Sequence, residues 1–355
     1  MPTPGIVLPR LSWRLSPLLV LMFGTVPVVA QPPPSHLSAP PQSPAPPGKF
    51  QERIDSAVRA LRENNPRFKD LSPQYVQGLA EFVSGNMLFV LLHEMAHVFI
   101  TQMELPVLGR MEDAADSYAA LRLIRSGSNF SHRVLIQAAE GWFMADRRDQ
   151  KMGDKVAFYD EHGLNQQRAY QIVCLMVGSD DEKFKDLAKE TKLPEERRDA
   201  CAGDYSNAAY SWDLVLKPHR RAPDQLKTKI DVVYGPAEGR TATAQQVASS
   251  IRLLETVAEH AADEFAWPAP FTLEMQSCGH PNARWDLPTH KLTVCYELAP
   301  EFADLYRAYG DVRADGSATA DSSKRKTVDA SGFKSDRQQS HHKRKRGVPE
   351  GARWR

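Results

Sequence analysis

The segment Met87–Ile100 constrains the fold of this 355-residue chain most strongly, because it is apolar on nearly every face of a helix yet carries three ionisable side chains. A helix that is apolar all round is buried in a protein core or spans a membrane. The ionisable side chains of His93, Glu94 and His97 argue against a membrane span. Buried ionisable groups need partners that offset their desolvation, and a metal ion is a natural partner for histidines. The segment therefore predicts a core helix with a polar site.

His93 and His97 are four residues apart, so on a helix both imidazoles face one point. Two imidazoles that converge in this way form half of a tetrahedral zinc site. Glu94 follows the first histidine and leans toward the position of a bound water, whose proton it can accept. The motif predicts a zinc hydrolase. It also arises by chance in about one in fifty chains of this length, and the alternative is a pair of core histidines bonded to backbone carbonyls.

The residues after the motif supply the missing parts of such a site. Arg110–Ala119 predicts a second helix, on which Glu112 and Asp116 share a face. We expect Glu112 to be the third zinc ligand and Asp116 to accept the second ring N–H of a ligand histidine. Asp113 points about 100° away from Glu112 on the helix. Asp113 and Asp116 remain alternatives for the third ligand.

The arrangement Glu112-x-x-Ala115-Asp116-x-x-Ala119 resembles the second helix of gluzincin-type zinc metallopeptidases. From about residue 50 to 310 the chain is also similar to an uncharacterised bacterial family described as metallopeptidases. The similar pieces are Phe82–Asn86, Leu105–Arg110, Gln167-Arg168, Ile172–Leu175 and Val294–Leu298. The resemblance implies a zincin-like fold and peptidase chemistry without naming a substrate.

Gluzincin chemistry also needs a hydrogen-bond donor for the oxyanion that forms when water attacks a carbonyl. His, Tyr or Arg side chains from outside the two helices that carry the metal ligands usually supply this donor. Three residues that follow the metal helices are candidates: His162, Arg168 and Tyr170. We take His162 as the catalytic candidate.

Both ends of the chain differ in composition from its centre. Residues 1–30 contain Arg10 and Arg14, then an apolar stretch that ends in Val28-Val29-Ala30, and predict a cleaved secretory signal. The Pro-rich residues 31–48 predict a linker. The basic residues 311–355 predict a disordered tail that binds anionic envelope polymers weakly. Because the formal net charge of the chain is only +1, no specific nucleic-acid partner is expected.

The four cysteines fit an exported protein, since they are even in number and none forms a Cys-x-x-Cys pair. Sequence proximity suggests disulfides Cys174–Cys201 and Cys278–Cys295, although four cysteines allow three pairings. We expect the protein in the periplasm or outside a bacterial cell.

Residues 49–310 predict one α+β domain, helix-rich at first and followed by a small antiparallel sheet. Residues 211–225 predict a long connection and Ala244–Phe265 a single amphipathic helix. Strands are expected at Ile230–Tyr234, Phe271–Gln276 and Lys291–Glu297, the last two paired as a hairpin.

The sequence as a whole favours a zinc-dependent metallopeptidase that acts on a peptide or protein substrate. Glu94 would be the general base, and His93, His97 and Glu112 the ligands of Zn²⁺. Two alternatives belong to other classes. One is a zinc-bearing binding or scaffold protein without turnover, and the other is a hydrolase of non-peptide envelope substrates.

Overall fold

The computed structural model describes residues 47–69 and 71–309. The predicted signal sequence (1–30), the tail (311–355) and all of the linker except its last two residues lie outside this part of the chain. Eight α-helices come first: α1 Pro47–Asn64, α2 Pro66–Lys69, α3 Pro73–Gln102, α4 Met111–Ser126, α5 Asn129–Met152, α6 Asn165–Ser179, α7 Asp181–Glu190 and α8 Glu195–Leu216. A 3₁₀ turn follows at Lys217–His219, and then β1 Ile230–Tyr234, α9 Arg240–Ser250, α10 Leu253–Glu264, β2 Phe271–Gln276, β3 Ala283–Asp286, β4 Lys291–Cys295 and α11 Leu298–Tyr309.

Helix α3 is the central element of the described fold. The side chain of Ser72 accepts a hydrogen bond from the backbone N–H of Tyr75, and Pro73 occupies the first helical position, where its missing N–H costs nothing. The helix is long and apolar enough to cross a membrane, but 83% of its apolar window is buried inside the protein. Helices α4, α5 and α11 pack against it. It is therefore a core helix, as its composition and ionisable residues predict.

Helices α6 and α8 are joined by a disulfide between Cys174 and Cys201. The second disulfide joins Cys278, after β2, to Cys295 at the end of β4. All four cysteines of the chain are thus paired, in the pairing that sequence proximity suggests. Disulfides are typical of oxidising compartments outside the cytosol.

Gly178 allows α6 and α8 to approach at backbone distance. A Cβ atom at this position would lie 2.5 Å from the carbonyl carbon of Cys201, closer than any real Cβ contact. We expect Gly178→Ala to lower the free energy of unfolding by about 1–3 kcal/mol or more, because backbone cannot move aside as a flexible side chain does. Urea denaturation measures this change.

Gly203 supplies the matched control on α8, since a Cβ there meets no atom within 4 Å. Gly203→Ala is expected to raise the free energy of unfolding by about 0.5–1 kcal/mol, because alanine is the better helix former. Equal effects of the two substitutions would contradict the close approach of α6 and α8.

The four strands form one mixed sheet in the order β1-β2-β4-β3. Strand β2 pairs in parallel with both β1 and β4, and only β3 and β4 are antiparallel. The prediction of an antiparallel sheet is therefore wrong, as is the hairpin of β2 and β4. Strand β3 lies between β2 and β4 in sequence and pairs antiparallel with β4. The chain therefore reverses direction twice between β2 and β4, which makes these two strands parallel. The fold is nevertheless α+β.

Two helix boundaries also differ from the sequence prediction. Helix α8 continues to Leu216, so residues 211–216 of the connection expected at 211–225 are helical. The single helix expected over Ala244–Phe265 is two helices, α9 and α10, because Arg252 adopts a left-handed conformation with φ 56°. Periodicity alone does not reveal such a break, since the apolar residues on either side keep their spacing.

One face of the sheet completes the core around α3. Leu273, Met275, Leu292 and Val294 are fully buried. On the edge strand β3, the indole N–H of Trp285 donates a 2.8 Å hydrogen bond to the hydroxyl of Thr101 near the end of α3. The sheet thereby covers the C-terminal part of the helix that carries the two motif histidines.

Candidate metal centre

Three separate elements bring nitrogen and oxygen donors to one point. Helix α3 supplies His93 and His97, helix α4 supplies Glu112, and the connection between α5 and α6 supplies His162. Glu112 Oε2 lies 3.0 Å from His93 Nε2, 3.4 Å from His97 Nε2 and 2.9 Å from His162 Nε2. The Nε2 atoms of His93 and His97 are 3.2 Å apart. A tetrahedral zinc ion with ligands at its usual bond lengths separates its donor atoms by about 3.3 Å.

A buried chain of polar side chains holds the His93 ring in place. His93 Nδ1 lies 2.8 Å from Asp116 Oδ1. Arg168 donates two hydrogen bonds of 2.7 Å to the two oxygens of Asp116, and its guanidinium stacks 3.7 Å from the centre of the Trp142 ring. The side chains of Asp116 and Arg168 are only 2% and 9% exposed. Asp116 thus fixes the proton on Nδ1 and turns the Nε2 lone pair toward Glu112.

The donor set fits a cation better than any arrangement of neutral groups. When His93 donates its Nδ1–H to Asp116 and is neutral, His93 Nε2 is an acceptor. That atom faces both a carboxylate oxygen and a second imidazole nitrogen. Acceptors at these distances repel each other unless a proton or a metal ion lies between them. Imidazole and carboxylate donors suit zinc and related divalent metals.

The pKa values of the cluster reflect this need for positive charge. Burial alone would lower the pKa of His93, but its hydrogen bonds to Asp116 and Glu112 outweigh burial and raise the pKa to about 9. Burial alone would raise the pKa of Glu112, yet His162, His93 and His97 together lower it. Both shifts favour positive charge beside the Glu112 carboxylate. A divalent ion would supply that charge in place of protons, so its binding would release protons.

Glu94 is buried beside the two motif histidines, with one oxygen within 4.8 Å of their ring nitrogens. Burial raises the pKa of Glu94, and the nearby charges of His93 and His97 offset only part of that shift. A carboxylate whose pKa is raised by burial is suited to accept a proton and give it back.

The alternatives for the third ligand lie elsewhere. Asp113 pairs with Arg110 at 3.0 Å on the outer side of α4. Both oxygens of Asp116 are taken by His93 and Arg168, so this carboxylate lies behind the His93 ring. Among the three candidates, Glu112 alone faces both Nε2 atoms of the motif.

The three candidates for the oxyanion donor also differ in whether they reach the cluster. The Tyr170 hydroxyl donates to the Thr191 carbonyl at 3.0 Å, away from the histidines. Arg168 is occupied by Asp116. His162 is the candidate that reaches the cluster, and it is half exposed. The contact between Arg168 and Asp116 is not predicted from the sequence, although an aspartate on the inner face of a buried helix is itself a signal that a cation lies nearby.

A further group of Cys278, Cys295 and Glu297 is close enough to bind a metal by distance alone. Its two sulfurs form a disulfide, so neither is available as a thiolate. The Glu297 carboxylate accepts backbone N–H groups from Cys278 and Gly279. This group therefore stabilises the turn after β2.

Comparison with known proteins gives one family for the chain. Residues 51–216 and 234–332 match the sequence profile of a family described as "Putative metallopeptidase". The first of these two stretches contains His93, Glu94, His97, Glu112 and His162. No curated protein and no solved structure matches the chain.

Proposed function

Because the chain belongs to this metallopeptidase family, whose profile covers most of its length, we propose that it is a zinc-dependent hydrolase that cleaves peptide bonds. The observation that carries the proposal is the convergence of acceptor atoms from His93, His97 and Glu112, spaced 3.0 to 3.4 Å apart. The order of these ligands along the chain supports a gluzincin-type site in a zincin-like arrangement.

When zinc is bound, it lowers the pKa of a coordinated water to about 7 and polarises the carbonyl of the substrate. His93, His97 and Glu112 hold the ion. Glu94 accepts a proton from the attacking water and passes it to the leaving amine. His162 donates a hydrogen bond to the oxyanion that develops on the carbonyl. Asp116 and Arg168 keep the His93 ring in one orientation during the reaction.

Glu94 also favours a hydrolase over a zinc-bearing scaffold protein. A structural metal site has no use for a buried carboxylate that does not bind the metal, and burying such a carboxylate costs stability. Burial does raise the pKa of Glu94, so its presence carries a free-energy penalty that catalysis explains. A hydrolase of non-peptide envelope substrates would use the same ligands, and the family description favours peptides.

The proposed setting is the periplasm or the cell exterior, after cleavage of a signal over residues 1–30. The two disulfides support an oxidising compartment. A basic tail after residue 310 would then meet anionic envelope polymers.

Elemental analysis of the purified protein tests the metal site directly. We expect about one zinc ion per chain in the wild type. His97→Ala and Glu112→Ala are expected to lose most of it, because each removes a donor on which the other ligand atoms converge. Asp113→Ala is the matched control on the same helical turn and should keep the full zinc content. A folded wild type without metal would overturn the proposed function, and loss of zinc in Asp113→Ala would move the third ligand to that residue.

A further inference from the structure

His162 contacts the centre in a way that an oxyanion donor does not require. Its Nε2 lies 2.9 Å from Glu112 Oε2, the same oxygen that faces His93 and His97. The ring also stacks over His93, with 6.2 Å between the ring centres. Ligand atoms of His93, Glu112 and His162 all lie within 4.8 Å of one another. By distance, His162 is a member of the donor cluster.

Asp160 orients His162 as Asp116 orients His93. Asp160 Oδ1 accepts the backbone N–H of His162 at 2.9 Å and lies 3.3 Å from its Nδ1. A carboxylate near Nδ1 favours the tautomer with the proton there, in which Nε2 is free to bind a metal. A carboxylate behind one ring nitrogen is the usual companion of a histidine that binds a metal through the other.

His162 Nε2 lies 2.9 Å from the Glu112 carboxylate, so either a proton on Nε2 or a metal ion bound to both atoms makes the contact favourable. A metal ion held by Glu112 Oε2 would therefore be within reach of His162 Nε2, because the same oxygen faces His93, His97 and His162.

We propose that His162 is a fourth protein ligand in the resting protein, an inference that rests on the proposed function. Zinc sites with four protein ligands are closed, whereas catalytic sites keep one position for water or substrate. His162 in this position makes the resting enzyme latent. Turnover requires the segment 154–163 to withdraw the imidazole. Its Nε2 then takes a proton from water and can donate a hydrogen bond to the oxyanion.

The segment 154–163 can move at little cost in buried surface. It contains neither helix nor strand, and it follows Gly153, which caps α5 in a left-handed conformation. Its two largest apolar side chains, Phe158 and Tyr159, are 83% and 92% exposed. The His162 side chain is itself 45% exposed. Withdrawal of His162 therefore breaks its contact with Glu112 without opening the apolar core.

Cobalt(II) substitution tests the inference without any substrate. We expect the wild type and His162→Ala each to bind about one cobalt ion, with at least about tenfold weaker affinity in the variant. The visible spectrum of the cobalt form should change on substitution. Azide, a small anion that needs an open position, should shift the spectrum of His162→Ala at much lower concentration than that of the wild type.

His280→Ala is the control, since His280 is exposed and bonded to the Cys278 carbonyl of its own turn. Asp160→Asn keeps the imidazole but weakens its orientation, and should fall between the wild type and His162→Ala in azide sensitivity. Identical cobalt spectra, affinities and azide titrations in the wild type and His162→Ala would overturn the inference and leave His162 as an oxyanion donor only. A wild type that binds neither cobalt nor zinc would instead overturn the proposed function.

Discussion

Replacing Glu94 with glutamine is expected to reduce peptide hydrolysis by about 10²–10⁴-fold, the usual contribution of a general base. Glutamine has the shape of glutamate but cannot accept the proton of the attacking water. The zinc content should stay at the wild-type level, because Glu94 is not one of the proposed ligands. A fluorescence-quenched peptide library, assayed with equal amounts of metal-loaded protein, measures the difference.

The stability of Glu94→Gln provides the internal control. Burial raises the pKa of Glu94, which means that the charged form is disfavoured in the folded protein. A neutral isostere removes that penalty, so the free energy of unfolding should be unchanged or higher. Full peptidase activity in a zinc-loaded Glu94→Gln protein would exclude Glu94 as the base.

The second large effect is expected from Arg168→Met, which should lower the free energy of unfolding by about 3 kcal/mol. Asp116 is almost completely buried, and burial alone would raise its pKa, but Arg168 and His93 hold it at about 2. Without the guanidinium, the carboxylate keeps only His93 as a charged partner. Urea denaturation in the presence of a chelator measures the loss without a contribution from bound metal.

Arg125→Met is the matched control for this loss. Arg125 pairs with Asp213 at 2.8 Å, but the two side chains are 26% and 37% exposed, so water screens the pair. Its removal should cost no more than about 1 kcal/mol. Zinc affinity separates the two variants further: Arg168→Met should bind zinc about 10–100-fold more weakly, since Asp116 loses its anchor, and Arg125→Met should bind it normally. Equal losses of stability would mean that Arg168 does no more than a surface arginine.

Local spacing explains why part of the centre is predictable from sequence. His93 and His97 lie on one helical face whatever the rest of the fold does, and so do Glu112 and Asp116. Their meeting across α3 and α4 also follows, because the short connection between the helices favours an antiparallel pair. Arg168 and Asp160 are different. Their partners lie 52 residues away in one case and two in the other, and neither separation has a periodic signature.

The error in the sheet has a comparable cause. The strands β2 and β4 are visible as apolar runs, but the four residues of β3 carry only a weak pattern. Without β3, a hairpin is the simplest connection between β2 and β4. With β3 paired antiparallel to β4, the chain must cross over, and β2 and β4 become parallel neighbours. Whether two strands are parallel depends on how often the chain reverses direction between them. A short strand that is missed changes that number by one.

The burial of α3 has a consequence for the order in which the protein folds. Phe99 on this helix packs against Phe265 and Trp267, and Phe82 packs against Tyr306. These partner residues lie about 165 to 225 positions further along the chain. They are therefore synthesised well after the helix that they cover. Contacts of such long range form slowly, and an apolar helix without its cover is prone to aggregate. During synthesis, residues 73–102 therefore depend on temporary protection until the last strands and α11 arrive.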